Sequence, residues 1–289
     1  SLGLTALGQN GQLNFLEKET IRANHEKQRQ AHVARELRVL APQLATLMTH
    51  FASGCEIDPW CITPKLEPVH AGKETGALFR LATLLWSVPV SRGFGRRIRF
   101  LVRDQHNGKL IGLFALGDPV FNLRARDQWI GWDVRDRERR LVHVMDAYVV
   151  GAVPPYSQLL GGKLVASLMG SAEVAEHFEA KYANRAGHIS AEVKPAKLVL
   201  ITVTSALGRS SLYNRLRLGG LVELVRIGQT QGWGHFQISD ELFEEMRQLL
   251  AHNHHSYASG HAFGQGPNWR IRVIREALRQ SGLDQNLLR

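Results

Sequence analysis

Two apolar runs, residues 98–103 and 110–116, are joined by Asp104-Gln-His-Asn107-Gly108, and that join constrains the chain more than any other feature. Asn-Gly between apolar runs favours a tight turn with positive φ, so the two runs pair as an antiparallel hairpin. A hairpin alone is marginal in water and needs further strands or a helix against it. The sequence supplies both. A third strand runs over 142–153 and stops at Pro154-Pro155, and a fourth covers 198–204. A further strand pair is expected at 221–227 and 234–238. Between these lie a helical stretch from Gly161 through Leu168 and a short helix over 210–218; two more helices follow at 240–250 and 271–278. The alternation predicts an α/β (α+β) fold: a central mixed sheet flanked by helices, with an N-terminal helical extension.

That extension is residues 12–53, rich in Glu, Lys, Gln, Arg and Ala, with Pro42 as its one proline and no glycine between Gly11 and Gly54. Its apolar stripe is thin (Ile21, Val33, Leu37), as in a helix lying on something larger. Pro42 breaks or restarts it. Pro59, Pro64, Pro68 and Gly72 then mark a linker. The chain therefore divides into a helical N-terminal region with linker, 1–63, and an α/β core with C-terminal helices, 64–289.

Composition narrows the function. The 289 residues are 44 % apolar and 21 % charged, which excludes a disordered chain, and two cysteines exclude a disulfide scaffold and fit a reducing compartment. No run of 18 apolar residues exists and the first residues lack a basic n-region, so a cytoplasmic protein without a membrane span is expected. Lys and Arg number 36 against 26 acids, a net charge of +10. Such an excess favours a polyanion, and DNA is preferred to RNA as the partner. Arg92, Arg96, Arg97 and Arg99 stand where no acid occurs between 92 and 103, and they are expected to face one outward surface without compensation. Arg209, Arg215 and Arg217 form a second basic strip, and Arg270, Arg272 and Arg275 a third. The run 135–140 interleaves acids and is expected to be a helix face of i,i+4 pairs.

Three groups of residues bear on chemistry. Gln158, Gly161, Gly162 and Lys163 follow the third strand at the start of a helix, where backbone N–H groups can cradle a pyrophosphate, or where glycine simply allows close packing. Asp127 beside Arg126 is either an acid–base group or half of a structural ion pair. Trp129 and Trp132 are expected as core or interface anchors in a strand-to-loop segment. No metal site is expected: His252-Asn-His254-His255 with His261, and Cys55 with Cys61, fit no zinc pattern. Asp118, Asp133 and Asp146 have no diagnostic spacing.

The order of hairpin, glycine-turned strand, helix and strand resembles the core of GNAT-type N-acyltransferases. Gln158 and Gly161 match that family's Q/R-x-x-G-x-G/A signature, with Lys163 at its last position. The resemblance implies coenzyme A or an acyl-CoA held by Gln158, Gly161, Gly162 and Lys163, with Tyr213 as general acid for the departing thiolate. A second resemblance is more specific. Arg126-Asp127-Gln-Trp-Ile-Gly131-Trp132, then Arg137-Glu-Arg139-Arg-Leu141, then Gly228-Gln-Thr230-Gln-Gly232-Trp-Gly234 look like the Druantia anti-phage defence protein A family. The match runs from about residue 64 to 236. It implies bacterial antiviral defence beside partners such as a helicase. Three readings follow: a DNA-binding defence component on a GNAT-like core, an acyl-CoA-dependent transferase acting on a nucleobase or other amine, or a helical scaffold that recruits a partner.

Overall fold

A computed structural model describes residues 15–88, 90, 95–185, 193, 195–205, 210, 212–213, 216–229, 238–260 and 267–285. Arg92, Arg209 and Arg215 of the expected basic strips lie outside these residues, as do Gly232 and residues 234–237 of the strand expected at 234–238.

The hairpin is present as β2 (Arg97–Asp104) and β3 (Leu110–Gly117), with Gly108 at φ 74°. Its turn is tied down from several sides. The buried Asp104 carboxylate accepts from the Thr63 and His106 N–H groups and, at 2.8 Å, from the Tyr156 hydroxyl. The third strand is β4 (Val144–Ala152), antiparallel to β3, and β5 (Leu200–Val203) lies parallel to β4. Parallel pairing needs a crossover, which α6 (Gly161–Leu168) and α7 (Ala172–Tyr182) provide. The first strand, β1 (Pro64–Pro68), pairs antiparallel with β2 and completes the order β1-β2-β3-β4-β5.

β1 corrects the linker expectation. Prolines at 64 and 68 suggest a break, yet proline is tolerated on an edge strand, and Leu66 is buried beneath this one. The helix expected over 210–218 also gives way: Arg217–Leu218 is strand β6, paired with β7 (Val222–Glu223).

Each face of the sheet carries its own core. On one face Phe100, Phe114, Ala147 and Val150 pack against Val165, Met169, Val174 and Phe178 of α6 and α7 and the turn between them. On the other, Leu101, Leu113, Ala115 and Val149 pack against α3 (Glu74–Thr83) and the N-terminal helices α1 (Phe15–Leu40) and α2 (Leu44–Met48). Leu40 and Leu47 are fully buried there. At about 1.5–3 kcal/mol for each buried side chain, they anchor the N-terminal helices to the sheet. Glu36 of α1 receives the Arg80 guanidinium of α3 across the same seam. Pro42 starts a short 3-10 turn between α1 and α2, where its missing N–H costs least.

Two helices between β3 and β4, α4 (Arg124–Ile130) and α5 (Val134–Arg140), stand where sequence suggested strand and loop up to Trp132. The C-terminal α8 (Asp240–His252) and α9 (Pro267–Gln280) form a third cluster around Phe243, Leu250, Trp269 and Ile274. Among the described residues no helix is long and apolar enough to cross a membrane.

Candidate functional site

The α4 segment is fixed by charge satisfaction. Arg126 is fully buried and Asp127 nearly so, which is tolerable only if every donor and acceptor finds a partner. Arg126 Nε donates to Asp127 Oδ1 at 2.8 Å, and its two terminal nitrogens donate to the carbonyls of Val120 and Phe121, both at 2.9 Å. Asp127 Oδ2 accepts from Arg137 of α5 at 3.0 Å and from the Leu123 N–H at 3.3 Å. Both oxygens of Asp127 are therefore engaged, and of its two readings the structural ion pair is the one observed. The Asp127 carbonyl accepts from the N–H groups of Gly131 and Trp132, and Gly131 at φ 83° makes this left-handed helix end possible.

The lock presents a face. Trp132 is half-buried, with the Arg126 guanidinium 5.8 Å from its ring centroid, while Trp129 is 57 % exposed and is not a core anchor. Trp132 lines two cavities. One, of about 390 Å³, is bounded by Asn122, Arg124, Asp127, Gln128, Gly131 and Arg137. The other, of about 520 Å³, is mostly apolar and bounded by Trp129, Ile130, Arg140, His143, Val144, Val199 and Leu200. A Cβ on Gly228 would stand 3.0 Å from the Ala125 Cβ, so the backbone at Gly228 approaches α4 closely.

Beside α4 a row of residues crosses the sheet in register: Arg97 (β2), Gly117 (β3), Asp146 (β4) and Thr202 (β5). The Thr202 hydroxyl donates to Asp146 Oδ1 at 2.7 Å. Burial pushes the Asp146 carboxyl above its ordinary range, against the pull of this bond and of the Arg126 charge. Tyr148 occupies the irregularity in β4 and its ring covers Gly117. Burial raises the Tyr148 phenol, and the nearby Arg99 and Arg97 charges oppose that rise.

The basic segment entering β2 does not form one surface. Arg96 Nε donates to Asp118 at 2.6 Å, its remaining nitrogens donate to the carbonyls of Leu141, Val142 and Val144, and its guanidinium lies 5.3 Å from the Phe178 ring centroid. Arg97 and Arg99 point to the opposite face of the sheet, where Arg99 lies 5.6 Å from the Phe79 ring. Strand alternation separates them, so the expectation of a shared, uncompensated surface is corrected. Arg217 pairs with Glu223 at 3.2 Å. On α5, by contrast, Arg140 meets Asp136 at 3.2 Å in the expected i,i+4 arrangement.

The glycine turn is closely packed. Gln158 is exposed and Lys163 half-buried; a Cβ on Gly161 would strike the Tyr156 carbonyl, and one on Gly162 would strike Leu212. Tyr213 is half-buried against the α6–α7 core, and burial, followed by the Asp146 charge, pushes its phenol far up. Among the described residues no group of three His, Cys, Asp or Glu side chains could hold a metal ion. Asp118 pairs with Arg96, and Asp133 caps α5 by accepting from the Asp136 N–H.

The sequence profile of Druantia protein DruA matches residues 15–289. Druantia protein DruA of Escherichia coli (strain UMEA 4076-1) is 52 % identical over 272 residues, which cover 94 % of this chain and 67 % of that protein. The chain belongs to the Druantia protein DruA family. It is therefore a component of the Druantia anti-phage defence system. No solved structure matches it.

Of the stretches that carry the resemblance to the family, the one around Arg126 has Gly228 of the other beside it, against Ala125. Sequence reasoning missed Asn122, Arg124 and Gln128 beside them. The available signal was helical spacing: Arg124, Gln128 and Trp132 recur every four residues, whereas a strand reading puts Arg126 on the same face as Arg124 and Gln128. Charge in this family member is also unevenly placed. Residues 64–237 hold 24 Lys and Arg against 14 acids, while 1–63 and 238–289 each hold six of either sign. The arginines of α9 accordingly belong to a neutral unit, with Arg270 turned to Asp240 and Arg279 to Glu276.

Proposed function

We propose that this Druantia component contacts DNA through its α/β core. The observation that carries the reading is the confinement of the whole positive excess to residues 64–237, with neutral segments on either side. Arg124, Arg135 and Arg226 of that region are exposed and make no ion pair among the described residues. Arginines left without protein partners are the ones that phosphate can engage in bidentate fashion.

Fluorescence anisotropy with a labelled oligonucleotide, from about 50 to about 200 mM salt, tests this reading. Affinity is expected to fall steeply, with a log–log slope of about −0.9 for each phosphate contacted. Changing Arg124, Arg135 and Arg226 together to Gln is expected to flatten the slope by up to about 2.7. Binding that is absent, or indifferent to salt, overturns the proposal.

A further inference from the structure

We infer that the cavity between Asn122, Arg124, Gln128 and Trp132 takes one unstacked nucleobase of a single DNA strand. The inference rests on the DNA-contact reading and specifies what one part of the core recognises. At about 390 Å³ the recess has the volume of a small-molecule site and is broadly open to solvent. Its polar groups suit a base edge. Asn122 and Gln128 each offer an amide with donors and an acceptor, Arg124 offers a planar fork, and no side-chain hydrogen bond of these three occurs among the described residues. A primary amide paired with a base edge is the commonest way for a protein to read adenine.

The wall suits a base face. The Trp132 backbone N–H donates to the Asp127 carbonyl at 2.8 Å, which fixes the main chain that carries the ring, and the buried Arg126 guanidinium lies 5.8 Å from the ring centroid behind it. The charge balance also suits a nucleotide. The one carboxylate in the lining, Asp127, faces two arginines, Arg126 and Arg137, and Arg124 at the rim adds to the positive charge that this leaves. A base inside a duplex has its faces stacked and its edge paired, so only an unpaired or extruded base can enter.

The test compares Trp132→Leu and the double change Asn122→Ala with Gln128→Ala against the unchanged chain. Each is titrated with a labelled single strand, the same sequence as a duplex, and deoxyadenosine monophosphate. Trp132→Leu is expected to weaken single-strand binding about tenfold, and the double change severalfold, with duplex binding and the salt slope unaltered. Asn122 and Gln128 are exposed, so the double change leaves the melting temperature in place and decides the matter if Trp132→Leu proves unstable. Single-strand affinity unchanged in both variants, with salt-dependent binding intact, overturns the cavity assignment and leaves the DNA reading standing. Tight binding of the free nucleotide without the strand overturns the commitment to DNA at this cavity. Loss of all binding by the unchanged chain overturns both.

Discussion

Two arginine-rich stretches, the entry to β2 and the start of α4, are similar in sequence and opposite in consequence. At β2, Arg96 is held by Asp118 and three carbonyls, while Arg97 and Arg99 face the other side of the sheet, Arg99 against Phe79 of α3. At α4, Arg126 is buried in an ion pair while Arg124, two residues away, stands exposed at the mouth of a cavity. A run of arginines without intervening acids is thus no guide to surface charge. What decides is the period of the element beneath: a strand sends alternate residues to opposite layers, while a helix turns Arg124 outward with Gln128 and Arg126 inward. Compensation comes from residues distant in sequence, such as Asp118 and the carbonyl at Val142, which no count along the chain can include.

The comparison breaks most readily at the buried pair. Arg126→Met is expected to cost about 3–5 kcal/mol in urea unfolding, because Asp127 and the carbonyls of Val120 and Phe121 lose their partner inside the protein. A loss under about 1 kcal/mol, the size typical of a surface pair, would mean that Arg126 is not the lock described here. Next in size is Arg96→Ala, expected to cost about 2–3 kcal/mol through several hydrogen bonds while leaving the salt slope of DNA binding unchanged. A flattened slope at full stability would return Arg96 to the DNA surface. Arg124→Gln should do the reverse: unfolding within about 0.5 kcal/mol of the unchanged chain, and a slope flatter by about 0.9.

Much of the fold was legible because local signals and burial agreed. Asn107-Gly108 between apolar runs specified the β2–β3 pairing, and the apolar run over 142–153 specified β4 to within two residues at its start and one at its end. Where tertiary partners override local preference, the sequence was silent or misleading. Trp129, Ile130 and Trp132 suggest strand by propensity, yet α4 forms because Arg126 and Asp127 satisfy each other and the ends of that segment. β1 was hidden by prolines that an edge strand tolerates. The site was legible only as a motif: Arg126 and Asp127 were visible as a pair, but their burial, and the role it gives to Gln128 and Trp132, depends on Arg137 and on two backbone carbonyls. Gly161 and Gly162 show the same ambiguity from the other side, since cradling a phosphate and packing against Leu212 ask for the same residue.

The smallest expected effect carries the comparison over to carboxylates. Asp127 and Asp146 both sit near Arg126, but Asp127 has two arginines in contact, whereas Asp146 has the Thr202 hydroxyl as its hydrogen-bond partner among the described residues. Burial accordingly raises the Asp146 pKa from an ordinary value of 3.8. An acid raised in the folded state stabilises that state fully below its unfolded pKa, and the contribution is lost as pH rises through the folded value. Asp146→Asn keeps an oxygen for Thr202 and removes the charge. The variant is therefore expected to melt slightly higher than the unchanged chain at neutral pH, with the difference closing as pH falls toward 3.8. A variant that melts lower at neutral pH would show that ionised Asp146 is held by a cation as firmly as Asp127 is, and the contrast between the two carboxylates would disappear.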